Sequence, residues 1–140
     1  MKRTTIVSLF IILVFSPCIF AAQFTLYPGA KLDEKATKEA MEAAQAAKMS
    51  NVKSTIYVTT DSFQKVASFY NGIAKEYMMP RASGVSGKPK KYDKYDLYEA
   101  YFIFDGAKDL VGSKLWAKVQ RPYIGEDVRD VTAIIVSEKK

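Results

Sequence analysis

Ser54-Thr55-Ile56-Tyr57-Val58-Thr59-Thr60-Asp61-Ser62-Phe63-Gln64-Lys65-Val66-Ala67-Ser68-Phe69-Tyr70 changes its period partway along, and that change decides the fold class. The first half is β-branched and alternating, the pattern of a half-buried strand. Asp61 then stands three residues before Gln64, the spacing of a capping box, with Thr60 as the alternative cap. Phe63, Val66, Ala67, Tyr70, Ile73, Ala74 and Tyr77 follow the i, i+3, i+4, i+7 rule. The spacing predicts an amphipathic helix from Asp61 to Tyr77, ended by Pro80. Its stripe, Ile73 included, is expected to pack on strands around Ile56, Phe102 and Val119.

Downstream, three segments alternate with period two. Leu97–Asp105 places Tyr98, Ala100, Phe102 and Phe104 on one face and Leu97, Glu99, Tyr101 and Ile103 on the other. Lys114–Arg121 points Leu115, Ala117 and Val119 inward and Lys114, Trp116, Lys118 and Gln120 outward. Asp130–Ser137 is the third. Short connections marked by Asp105-Gly106, Gly112-Ser113, Pro122 and Gly125 require an antiparallel meander. Upstream, Tyr27-Pro28-Gly29-Ala30 reads as a type II turn. Leu32–Met49 reads as an Ala-rich helix with Asp33 and Glu34 at its positive end. The expected fold is α+β: a four-stranded antiparallel sheet in the order strand-helix-strand-strand-strand. One amphipathic helix lies on a face, and the Ala-rich helix is an N-terminal addition. A second sheet face, with Trp116, Lys114, Lys118 and Tyr101, is left to solvent or to the Ala-rich helix.

The first residues have the layout of a secretory signal peptide: Lys2 and Arg3, an apolar run from Ile6 to Phe15, Ser16-Pro17, then Ala21-Ala22. The expectation is a signal peptide over 1–21, with cleavage after Ala21 and Ala22 as the alternative, and one domain over 22–140. An uncleaved anchor is disfavoured because Ile6–Ala22 is at the short limit for a span and contains Pro17. Acylation of Cys18 is disfavoured because Pro17 sits badly directly before it. The expected location is periplasmic or secreted, with no stable membrane span after cleavage. The 140 residues include no His and one Cys. That removes Ser-His and Cys-His catalysis, imidazole metal ligation and an internal disulfide. Loss of Lys2 and Arg3 would lower the net charge from +6 to +4, too little to argue nucleic acid.

Tyr27-Pro28-Gly29-Ala30, then Tyr57-Val58-Thr59-Thr60-Asp61-Ser62-Phe63 and Val66-Ala67-Ser68-Phe69-Tyr70, resembles a loose group of small exported bacterial proteins and lipoproteins. Those proteins have a YPGA turn followed by a TTDSF-x-KV-x-x-FY strand-helix passage. The similarity covers about Tyr27–Tyr77. It implies fold and export rather than an activity, because the group is largely uncharacterised. The Ala-rich helix after the turn and the basic loop depart from the group's pattern.

Several segments invite a chemical reading. Gly84-Val85-Ser86-Gly87-Lys88 has two residues between its glycines instead of four, and Pro89 follows, so it is not a phosphate loop. Residues 80–96 are expected to form a flexible basic loop. Within and after it, Arg81, Lys88, Lys90, Lys91 and Lys94 interleave with Tyr92 and Tyr95. With Trp116 and Lys118, these residues form the candidate binding surface, suited to an envelope protein or an anionic surface component. Asp93/Asp96 and Glu126/Asp127/Asp130 lack the oxygen count of a calcium loop, so no metal and no cofactor are expected. A filament subunit is disfavoured because no Gly precedes residue 29. The expected function is therefore non-catalytic: an exported binding or structural domain of the bacterial cell envelope. The alternative is a small envelope enzyme using carboxylates or Tyr and Lys, recognisable by a cleft with convergent acids.

Overall fold

The computed structural model describes residues 22–140; the signal-peptide reading and Cys18 lie outside them. In chain order the elements are β1 (Lys31–Leu32), α1 (Glu34–Ala46), β2 (Val52–Thr59), α2 (Phe63–Asn71), β3 (Lys75–Tyr77), β4 (Lys90–Tyr92), β5 (Tyr95–Ile103), β6 (Leu115–Arg121), β7 (Tyr123–Ile124), β8 (Val128–Arg129) and β9 (Thr132–Lys139). The chain is α+β. A seven-stranded sheet has the order β1-β2-β9-β6-β5-β3, with β4 also pairing β5, and every pairing is antiparallel. The four expected strands are its long central members, and β5-β6-β9 is the expected meander. Three short strands, β1, β3 and β4, are additions at the edges. β7 and β8 form a separate hairpin between β6 and β9. Among the described residues no helix is long and apolar enough to cross a membrane.

The period change at Asp61 is real, but two local details differ from expectation. Ser62, not Asp61, caps α2: its Oγ accepts the Lys65 N–H at 3.2 Å. Asp61 is turned aside to accept the Tyr27 hydroxyl at 2.6 Å. The helix also stops at Asn71 with Gly72 as its cap, instead of continuing to Tyr77. Gly is the poorest helix former after Pro, and Lys75–Tyr77 gains a full ladder against Tyr101–Ile103 by leaving the helix. Ile73 is therefore not a core residue; it is 49% exposed.

The two sheet faces hold separate cores. Phe63, Val66, Ala67 and Tyr70 of α2 pack with Ala100, Phe102, Ala117, Val119, Ile134 and Val136. Phe24 adds a stacked ring against Tyr57 and Tyr70 and an edge contact to Phe104. On the opposite face Ile56 lies with Ala133, Tyr123 and Ala36 beneath α1. Ile56 thus belongs to the α1 core rather than to the α2 stripe. The small residues of α1 permit that close approach. The helix is shorter than Leu32–Met49 because Leu32 is drawn into β1 and Asp33 caps at Ala36 N–H, 2.9 Å away.

The Tyr27–Ala30 turn closes as expected, with the Ala30 N–H on the Tyr27 carbonyl at 3.1 Å and Gly29 at φ +84°. Tyr70, fully buried, donates to the Thr25 carbonyl and accepts the Tyr27 N–H. Arg121 binds the Thr60 and Asp61 carbonyls and the Thr132 hydroxyl, and pairs with Asp130 at 3.0 Å. Tyr27, Asp61 and Tyr70, with Arg121, thus clamp one strand-helix corner.

Candidate functional site

Helix α1 covers only the β1-β2-β9 side of its face. Cross-strand register places Tyr77, Tyr101, Lys118 and Ile135 in one row across the remainder, and Ile103, Trp116 and Ser137 in the next. Glu99 and Gln120 are opposite one another in the row beyond. A carboxylate on a strand whose other residues on that face are Tyr95, Leu97, Tyr101 and Ile103 must find partners, because a buried unpaired charge is costly.

Glu99 has them. Its side chain is 10% exposed, with Lys90 Nζ at 2.7 Å and Lys118 Nζ at 3.6 Å. Gln120 donates its amide to Oε1 at 3.2 Å. The Ser83 hydroxyl both accepts the Glu99 N–H at 2.7 Å and donates to its carbonyl at 2.9 Å. Burial pushes the Lys118 ammonium below its usual range, and the Glu99 charge opposes that shift. Tyr101 is pushed up to about 12 by burial and by the Glu99 charge, so it stays a neutral donor at physiological pH. One carboxylate between two ammoniums leaves one positive charge in excess, half-sunk in an aromatic surface. Such a cluster can hold an acidic group and orient it, since Lys118 is 26% and Lys90 42% exposed.

The expected surface residues divide. Lys90, Tyr92, Tyr95, Trp116 and Lys118 share this face by register. Lys91 points to the other side and pairs with Asp96. Arg81 and Lys88 lie in the connection between β3 and β4. Lys94 sits over the Tyr95 ring at 5.4 Å, and Lys139 over the Trp116 ring at 5.3 Å. The connection itself carries structure the sequence reading did not assign. β4 and β5 form a hairpin through Asp93, at φ +52°, and Lys94. Ser83 and Gly84 bond the β5 edge at Glu99, and Gly87 packs so closely on Ser83 that an added Cβ would lie 1.5 Å from its carbonyl oxygen. Glu99, Gln120 and Ser83 were missing from the sequence-based surface. The legible signal was Glu99, a lone acid among apolar residues of one strand face.

Acids also gather between α1 and the β7-β8 hairpin, in a cavity of about 120 Å³ lined by Asp33, Glu39, Glu126 and Asp127. Three of the four are held by cations. Asp33 pairs with Arg129 at 2.6 Å, and Glu39 and Glu126 each lie 3.5 Å from Lys35. Burial opposes Asp33 ionisation, and the Ala36 N–H and Arg129 outweigh it, holding the carboxyl below its usual range. No cluster of His, Cys, Asp and Glu among the described residues is arranged to hold a metal ion.

The fold and site define a small α+β domain with a polar cluster set in a half-covered sheet face. Comparison of the chain with protein-family models, with curated proteins and with solved structures returns no match.

Proposed function

We propose that this protein is a non-catalytic binding domain of the bacterial cell envelope, exported by residues 1–21 and holding an acidic partner on its half-covered sheet face. The partner class is an envelope protein or an anionic surface component that presents a carboxylate or phosphate to Lys118 and Lys90. The reading is supported by one observation above all: two ammoniums that keep 42% and 26% exposure converge on a single buried carboxylate, beside Tyr101 and Trp116, on the part of the sheet face that α1 does not cover. The excess charge is partly withdrawn from water, so it is screened less from an incoming anion than the solvated lysines of a loop. Export is supported by the n-region, the apolar run and the Ala pair, and by the resemblance to small exported proteins.

Retention of the protein on an immobilised acidic polypeptide, measured against rising salt, tests the surface. Lys118→Met paired with Glu99→Gln removes the cluster while leaving no buried charge unpaired. The pair should elute at clearly lower salt than wild type, whereas Lys65→Gln on the exposed side of α2 should not. Equal retention of all three proteins would remove the cluster from consideration. Intact mass of the exported protein tests the leader: a chain beginning at or next to Ala22 is expected, and a mass retaining residues 1–21 contradicts the assignment.

A further inference from the structure

The strand directions bring a second set of residues to one end of the sheet. β2, β3 and β6 begin there, and β5 and β9 finish there. The β5–β6 connection, residues 104–114, caps that end and is tightly built. Asp105 accepts the Ser113 hydroxyl at 2.8 Å, the Lys114 N–H at 2.6 Å and the Ala107 N–H at 3.3 Å. Asp109 accepts the Gly112 N–H at 2.7 Å. Held this way, the loop projects Val111 with 85% of its surface in water, the most exposed large apolar side chain among the described residues. A flexible loop could fold such a side chain inward; this one is braced against doing so. Ile73, exposed at the α2–β3 corner, is at the same end.

Five lysines lie at the same end of the sheet. Lys75 begins β3, Lys108 and Lys114 belong to the loop, and Lys139 and Lys140 close β9. Lys139 donates its ammonium to the Val111 carbonyl and lies over Trp116. No carboxylate among the described residues pairs with any of the five. The acids at this end are Glu76, Glu138 and the two loop aspartates; both aspartates are occupied by hydrogen-bond donors, and Glu76 accepts the Val85 N–H at 3.4 Å. The chain from Tyr27 back to Phe24 also runs toward this end, from Asp61 to Phe104.

We propose that this end of the domain docks on an anionic lipid bilayer, with Val111 inserted at the headgroup boundary and Lys75, Lys108, Lys114, Lys139 and Lys140 against the phosphates. An apolar tip alone binds a bilayer weakly, and a basic collar supplies the second, electrostatic contribution. The proposal is independent of the Glu99 cluster, which neither contributes a residue to it nor is altered by its test.

The experiment uses the mature chain from Ala22, which has no cysteine of its own, with a single introduced cysteine carrying an environment-sensitive fluorophore. The label is placed at Val111→Cys or, at the opposite end on the β7-β8 hairpin, at Asp127→Cys. Vesicles of phosphatidylglycerol in phosphatidylcholine should shift the emission of the residue 111 label to the blue and leave that at 127 unchanged. Pure phosphatidylcholine should do neither. Lys108→Gln/Lys114→Gln/Lys140→Gln should weaken binding to the anionic vesicles at least about tenfold, since each lysine near such a surface contributes roughly 1 kcal/mol. No shift at 111, an equal shift at 127, or the same shift on phosphatidylcholine alone would overturn the proposal. A failed fold is not expected to intervene, because the Val111 side chain lies in solvent and the loop is held through other groups.

Discussion

Replacing Glu99 by Gln keeps the shape of the side chain and removes the charge that Lys90 and Lys118 share. Removing one partner of a buried ion pair costs about 3–5 kcal/mol. Here both lysines retain some contact with water, at 42% and 26% exposure, so solvent screening reduces that figure. A loss of about 2 kcal/mol at neutral pH is expected, equivalent to roughly a 1 M fall in the urea midpoint. The loss should depend on pH in a definite direction. The folded state already holds Lys118 below its unfolded pKa, because burial disfavours the ammonium. Between the two pKa values the unfolded chain binds more protons, so this group lends stability as pH rises. Without Glu99 the folded pKa falls further and that window widens. The deficit of Glu99→Gln should therefore be greatest at neutral pH and shrink as pH approaches the unfolded value near 10.5. Adding Lys118→Met should recover most of the loss at neutral pH, because the stranded charge is then gone. Urea titrations of the three proteins at neutral and alkaline pH decide the matter. A Glu99→Gln deficit below about 0.5 kcal/mol, or one equal at both pH values, would mean that the cluster behaves as a solvated surface group.

Ile73→Ala should change stability by less than about 0.5 kcal/mol, as an ordinary surface substitution does, whereas Phe102→Ala should cost about 3–5 kcal/mol; chemical denaturation separates them. Gly87→Ala should dislodge the 83–87 turn from the β5 edge, because its Cβ would meet the Ser83 carbonyl, and limited proteolysis should then cut between β3 and β4. Burial opposes ionisation of Asp105, but hydrogen bonds from Lys114, Ser113 and Ala107 outweigh it and hold its carboxyl below the usual range. Its stabilising effect is thus present above the unfolded carboxyl pKa and lost as pH falls through the folded one. Asp105→Asn should lower stability at neutral pH and flatten the acid limb of the pH–stability profile.

Elements whose own residues repeat with a clear period were legible in the sequence. The central strands, the turn at Pro28-Gly29 and the first half of α2 follow from local pattern and from φ restrictions. The end of α2 was not, because Ile73, Ala74 and Tyr77 continue a helical spacing by coincidence while the backbone leaves to pair with β5. That pairing is a tertiary gain which no window of residues contains. β4 was hidden for a related reason: Lys90, Lys91 and Tyr92 have no apolar alternation, and the strand exists only because β5 offers an edge. Ile56 was assigned to the wrong core since a strand buried on both faces does not announce which helix covers which side. At the site, Trp116 and Lys118 were readable as outward residues of an alternating strand. The partner that gives Lys118 its meaning lies 19 positions away on β5, and only register brings the two together.

The way β5 finishes the sheet has a further consequence. An edge strand with a long row of free amides and carbonyls is a template on which other chains polymerise. On β5 that row is broken into three short stretches: β3 occupies Tyr101–Ile103, the Ser83 hydroxyl and Gly84 occupy Glu99, and β4 occupies Tyr95–Leu97. The new outer rim is made of two three-residue strands that differ in position and carry Lys75, Lys90 and Lys91. A second copy approaching this side would find neither a continuous ladder to extend nor a neutral surface to lie on. The hydroxyl of one serine thus fills the stretch of edge between the two short strands, and Ser83→Ala would leave the Glu99 N–H without that partner.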